Sequence, residues 1–461
     1  MGALTPRLGI DDVNVTDEAP PANPSTGTLP LLLAWVALSG CASYAPHPLP
    51  TRPDLAARAL TQSEPSALDM NAIATLAVLN NPDLKAARAQ TRVSEAQAFA
   101  AGLLPDPQLN ASSDVPYDHV SSPRDPRYPE YHAYGLTLAI DVRALLTRTS
   151  KRAAADAAYR QSREELLWKE WQTVAQARTL YVAQCIAAER RAFLAPATEQ
   201  YALAAARSRR ALARHDVTLD QASADAAAWA VMRAQQGVAT RDAESAAHAL
   251  DALLGLSPDT QLTLRPLGAP QIPVRDEIAR AAEHLQDSRP DLRALAQGYR
   301  SEEAQVRVAV LSQFPNLVVG ITRARDVSDV HTNGGTVSFN LPIFDGSRGD
   351  VAIQKATREQ LRAEYQARLD QATADVWKLW DEIQQLRSEL RELEEQLPSL
   401  EQDAGHSQRG FAAGNLPAAS YFIAVNALVT ARTTRFDLLQ NLWSDAIALA
   451  TVTGTQVQPA S

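Results

Sequence analysis

Two cysteines and eight histidines are the side chains of this 461-residue chain best suited to covalent or metal chemistry. The histidines are scattered singly from His47 to His406, with none at the spacing that converges on one ion. No H-E-x-x-H pattern, paired C-x-x-C or P-loop-type Gly-rich phosphate loop occurs. The expectation is therefore no metal site, no cofactor, no catalytic residue and no enzyme. Cys185 sits in "LYVAQCIAAER", a helical pattern, where a thiol reads as a small buried hydrophobe. That leaves Cys41.

Cys41 follows "LPLLLAWVALSG", an apolar run too short to span a membrane as a helix and ended by small residues. Such a run is a secretory h-region, and "LSGC" (38–41) resembles a bacterial lipoprotein box, in which this cysteine is lipidated and becomes the first residue; a plain cleaved signal and a buried apolar strand are the alternatives. Asp11, Asp12, Asp17 and Glu18 give the upstream stretch the wrong charge for an n-region, so residues 1–28 lie upstream of the true start or form an extension. Residues 1–40 are assigned as the signal segment and 41–67 as a lipidated tether containing the Pro-rich stretch 45–53.

The elements behind these residues come in duplicate. "NNPDLKAARAQ" (80–90) returns as "SRPDLRALAQ" (288–297), with Pro82 and Pro290 208 residues apart. Pro105 recurs as Pro315, Asp141 as Asp345, Pro196 as Pro398 and Gly255 as Gly454, in order and with a slowly drifting offset. Self-similarity of this kind marks one structural unit written twice. The boundaries are 68–256 for the first repeat, 257–275 for a linker, 276–455 for the second repeat and 456–461 for a tail.

Only 6% of residues are aromatic, and long stretches are built from Ala, Arg, Glu, Gln and Leu, a long-helix palette. A net charge of −9 disfavours nucleic acid as partner. Each repeat reads as a helix, a strand pair, a very long helix, a break and a returning helix. The first repeat has a helix over 68–102, strands at 107–116 and 133–142, and a long helix from about Arg143 to Arg210 interrupted at Pro196. The second has strands at 316–325 and 335–344, and a long helix from Gly346 to about Arg409 interrupted at Pro398. At 1.5 Å per residue the latter extends about 95 Å, longer than a compact domain requires. Trp168 and Trp171 in "WKEW", and Trp377 and Trp380 in "VWKLW", read as packing.

The strands alternate with period two, as in Leu136, Leu138, Ile140 against Thr137, Ala139, Asp141, and have the length of tilted membrane strands. Four such strands cannot close a barrel, and an open edge is forbidden in lipid. Several protomers sharing one barrel, continued by a helical tube, satisfy every feature.

"NPDLKAARA", "AGLLPDPQL", "DVRALLTRTSKRAAADAA", "LPIFDGSRGDVAIQKA" and "GFAAGNLPAAS" together resemble the TolC-like outer-membrane efflux factor family over about residues 68–455. The resemblance implies a mainly α fold with a small β part. Long helical hairpins would form a trimeric periplasmic α-barrel, and four strands per protomer a twelve-stranded transmembrane β-barrel. It implies a homotrimer in the bacterial outer membrane, docked on a membrane-fusion adaptor and an inner-membrane pump of the resistance–nodulation–division type. The chain would then be a passive exit duct. A type I protein-secretion duct and a periplasmic coiled-coil scaffold lipoprotein are the alternatives.

The family's tip motif maps onto Gly414 and Asn415, whereas the first tip carries His215 and Asp216 where glycine is common. Aspartates that ring the pore in some members are replaced here by Ser420 and Ile423. Asp216, Asp220 and Asp225 beside the first tip are the acids available to line a pore. A solvated face or helix N-terminus accounts equally for Asp220 and better for Asp225.

Overall fold

The computed structural model describes residues 44–55, 67–115, 131–258, 260 and 262–455. Cys41, the signal segment and the tail 456–461 lie outside the described residues. The chain divides into two units, Met1–Pro53 and Asp54–Ser461. The described part of the first, residues 44–53, is exposed and carries neither helix nor strand.

The second unit begins with α1 (Met70–Asn80) and α2 (Pro82–Gly102). A single helix over 68–102 is expected from periodicity, but the chain divides at Asn81. Pro82 disfavours helical backbone in the residue before it, and the Asn81 side chain instead accepts a 3.0 Å hydrogen bond from the Leu84 amide. Strands β1 (Gln108–Asp114) and β2 (Ala133–Asp141) follow. Then come α3 (Val142–Ala213), 72 residues long, and α4 (Leu219–Leu253). The second repeat gives α5 (Arg275–Glu283), α6 (Leu285–Ser288), α7 (Pro290–Leu311), β3 (Leu317–Arg325) and β4 (His331–Phe339). It closes with α8 (Arg348–Ala412), of 65 residues, and α9 (Ala418–Thr453). The landmarks take equivalent places: Pro82 and Pro290 open α2 and α7, and Gly255 and Gly454 follow α4 and α9 in left-handed conformations.

Two further expectations are corrected. Pro196 and Pro398 do not interrupt the long helices, which run through both. An internal proline costs about 3 kcal/mol, and the packing of neighbouring Leu194, Thr198 and Leu397, all buried, outweighs it. The fourth strand starts four residues earlier than its alternation suggests and omits Leu341 and Ile343. Its register against β3, from Leu317↔Phe339 to Arg325↔His331, ends there, and Pro342 has no N–H to extend a ladder.

One core cluster joins the two halves of the chain, and another, including Ile278, Val376, Ile383 and Leu449, lies wholly in the second half. Ile73 and Leu76 of α1, Tyr181 and Ile186 of α3, Leu254, and Trp443 and Ile447 of α9 form one cluster. Burying each such side chain contributes roughly 1.5–3 kcal/mol. The linker 257–275 is pinned to this cluster: Tyr181 Oη donates to the Arg265 carbonyl (2.7 Å) and Trp443 Nε1 to that of Gly268 (2.9 Å). Arg289 ties α7 to both long helices. Its guanidinium grips Asp291 at 2.9 and 2.7 Å and lies 5.1 Å above the Trp168 ring, while Arg368 of α8 reaches Asp291 at 3.1 Å. Cys185 is buried as expected, and burial pushes its thiol up to about 11. No described helix is long and apolar enough to cross a membrane.

Candidate functional site

The sheet is one four-stranded antiparallel unit in the order β1-β2-β3-β4, so the two strand pairs are joined edge to edge through β2 and β3. The free edges are β1 and β4. Antiparallel pairing fixes rows of side chains across it. Leu109, Leu138, Ile321 and Gly335 form one row. The next row on the same face is Ala111, Leu136, Arg323 and Asn333, and the next is Ser113, Tyr134, Arg325 and His331. The opposite face carries small and polar residues, including Gly135, Thr137, Ala139, Gly320, Thr322 and Thr336. There Thr137 and Thr322 hydroxyls lie 2.9 Å apart.

On the two central strands the burial of the two faces is inverted relative to a sheet in water, while β1 and β4 are exposed on both faces. Leu136 and Leu138 are each 45% exposed and Ile321 is 68% exposed, whereas Gly135, Thr137 and Ala139 are half-buried or buried. A soluble half-buried sheet hides its apolar face and wets the polar one. This arrangement suits a sheet whose apolar face meets hydrocarbon and whose small, polar face meets water.

At the far end from the sheet, α3 turns into α4 and α8 into α9 through the same backbone device. His215 N–H donates to the Leu212 carbonyl (2.9 Å) and Asp216 N–H to that of Ala211 (2.9 Å). Gly414 N–H donates to the Phe411 carbonyl (3.1 Å) and Asn415 N–H to that of Gly410 (2.9 Å). These are two Schellman caps, which require a left-handed residue just past the helix. His215 and Gly414 supply it, with φ of 61° and 75°. His215, Asp216, Gly414 and Asn415 are all exposed.

The three candidate acids separate. Asp216 is exposed and paired with Arg214 at 3.0 Å. Asp220 is exposed in the first turn of α4. Asp225 is 2% exposed and accepts a hydrogen bond from Ser208 Oγ across the α3–α4 hairpin. Its carboxylate fastens the hairpin and presents no charge to solvent, which corrects its reading as a pore-lining acid and equally as one on a solvated face. Ile423 is 73% exposed on α9, an apolar residue facing outward near the tip.

One feature near the tips is not legible in the motif. Tyr201 stacks on Phe422 with centroids 4.3 Å apart and donates its hydroxyl to the Phe422 carbonyl (3.1 Å). Phe411 stacks on Tyr421 at 5.1 Å, and Arg207 lies 5.9 Å over Phe411. The Tyr201–Phe422 and Arg207–Phe411 contacts join the two helical hairpins, and the Phe411–Tyr421 stack lies within the second. Burial pushes the Tyr201 hydroxyl up to about 12, so it stays a neutral donor. The signal was a concentration of aromatics around "FAAGNLPAASYF" (411–422) in an aromatic-poor chain.

Among the described residues no group of His, Cys, Asp and Glu is disposed to hold a metal ion. Residues 281–455 match the family model described as outer membrane efflux protein. No curated protein matches the chain. The outer-membrane channel OprN is similar in structure at 17% identity and a TM-score of 0.71, over 90% of this chain and 99% of that one. The CmeC outer membrane channel of Campylobacter jejuni gives 16% identity and 0.71, over 90% and 92%. The MtrE outer membrane channel of Neisseria gonorrhoeae gives 16% and 0.67, over 90% and 97%. At such identities the likeness establishes the fold.

Proposed function

We propose that this chain, whose residues 281–455 match the outer membrane efflux protein model, is the exit duct of a tripartite efflux system. The observation that carries the reading is the inverted sheet with two free edges. In lipid, an open edge leaves several backbone groups without partners, each costing several kcal/mol. Three copies of the four-stranded sheet, β4 of each beside β1 of the next, form a closed twelve-stranded barrel. The helices continue it as a periplasmic tunnel whose tips, at His215, Asp216, Gly414 and Asn415, dock on an adaptor and pump. Conduction is passive. Asp216 and Asp220 are the acids that threefold repetition turns into rings. Cys41 carries lipid at the mature N-terminus.

Extraction tests the reading directly. A heat-modifiable oligomer that needs detergent is expected, together with hypersensitivity to drugs, metals or solvents on gene deletion. A rod that stays soluble without detergent points instead to a scaffold. Mass spectrometry of the mature chain reports on Cys41, and an unmodified thiol there removes the anchor.

A further inference from the structure

We infer that the apolar face of the sheet carries a binding site for a phosphate-bearing acylated lipid, with Arg323 as the phosphate ligand and the row below it as the acyl-chain wall. The inference rests on the barrel reading above and deepens it.

An open groove of about 820 Å³ lies on this face, lined by Leu109, Leu136, Leu138 and Ile321, with Arg323 and Asn333 at one end and Gly334 and Gly335 at its side. Its shape follows from the register. The row Leu109–Leu138–Ile321 ends at Gly335, which contributes no side chain. The groove therefore opens beside Ile321 and directly below Arg323 and Asn333, one row nearer the strand ends remote from the helices. Two residues along a strand span roughly 6.6 Å, so an acyl chain lying on the leucines brings its headgroup level with these two side chains.

Charge selects the occupant. Arg325 in the outermost row is already engaged: its Nε lies 2.6 Å from Asp329 and its guanidinium 4.4 Å over the Tyr131 ring. Arg323 is exposed and has no carboxylate partner among the described residues. A guanidinium on a lipid-facing surface is expensive unless it reaches the interface and meets an anion. Its planar fork matches phosphate with two parallel hydrogen bonds, and the Asn333 amide adds a donor. A lipid without phosphate fills the groove but leaves Arg323 unanswered.

The test is native mass spectrometry of the detergent-purified oligomer titrated with bisphosphorylated lipid A and with its dephosphorylated form. Wild type should bind the phosphorylated lipid about tenfold more tightly. Arg323→Gln should abolish that preference. Gly335→Leu should weaken both lipids alike by filling the groove. A Cβ built at Gly335 meets nothing nearer than the Gly320 carbonyl oxygen at 3.9 Å, so the sheet admits it. Inorganic pyrophosphate, which has no acyl chain, should not compete. Equal binding of the two lipids by wild type, a preference surviving in Arg323→Gln, binding untouched by Gly335→Leu, or full competition by pyrophosphate each overturns the site. An oligomer that forms but behaves so removes the lipid site alone. Failure to obtain any detergent-requiring oligomer removes the barrel, and the site with it.

Discussion

His215 and Gly414 occupy the same position in the two hairpin tips, each the left-handed residue of a Schellman cap, and only one of them is a glycine. A side chain in this conformation costs about 1 kcal/mol. His215→Gly should therefore stabilise the first tip by about that amount. Gly414→Val should destabilise the second by at least as much, through the backbone alone, since a Cβ there meets nothing within 4 Å. Hydrogen exchange at the amides of residues 215–216 and 414–415 reads both. Export should fall in Gly414→Val while oligomer yield stays near normal, and unchanged resistance in that variant counts against a docking role.

Depth in the membrane should separate two arginine substitutions that sequence alone treats as equivalent. Leu138 pairs with Ile321 near the middle of the sheet, whereas Phe339 pairs with Leu317 at the end nearest the helices. Leu138→Arg should cost about 2–4 kcal/mol and Phe339→Arg only about 0–1 kcal/mol. Refolding yields into lipid vesicles measure the contrast. Similar losses in both would place the sheet's midplane elsewhere.

Much of this architecture is written locally. Pro82 and Pro290 remove an unpaired amide at a helix start, Asp141 caps one with its side chain, and Gly255 and Gly454 take the left-handed turn that ends a helix. Such signals survive without tertiary context. The prolines at 196 and 398 misled for the opposite reason. Whether an internal proline breaks a helix depends on packing by distant residues, which no local rule contains. The shift of β4 was hidden likewise, because its ends are fixed by β3 and by Pro342 rather than by its own alternation. Asp225 looked like Asp216 and Asp220 in sequence. Its burial depends on Ser208, seventeen positions upstream on the opposing helix.

The Arg289–Asp291 pair should behave as a buried salt bridge that is costly to halve and cheap to replace. Both side chains are under 8% exposed. Arg289→Met leaves Asp291 with only the half-exposed Arg368, and should destabilise by about 3 kcal/mol. The double variant Arg289→Met, Asp291→Leu should recover most of that loss. Denaturant midpoints of the detergent-solubilised protein decide it, and equal destabilisation of single and double variants contradicts the account.

Cys185 should be silent toward alkylating reagents in the folded protein and should make stability fall in alkali. Burial raises its pKa from 9.0 to about 11, and the thiol donates to the Arg265 carbonyl at 3.7 Å. Below pH 9 the thiol is protonated in both folded and unfolded chains, and its contribution is fully present. As pH rises past 9 the unfolded chain releases a proton that the folded chain retains, so stability is lost progressively up to about 11. Two units of pKa lower the native thiolate fraction about a hundredfold, and iodoacetamide at pH 8 should slow by at least that factor relative to the unfolded chain. Comparing Cys185→Ala with wild type isolates this thiol from every other group of the chain. Wild type should lose more stability than the alanine variant between pH 8 and pH 10. Parallel losses in the two proteins, or rapid native alkylation, would show that the thiol is open to water and that the core around Tyr181 is less closed than its packing implies.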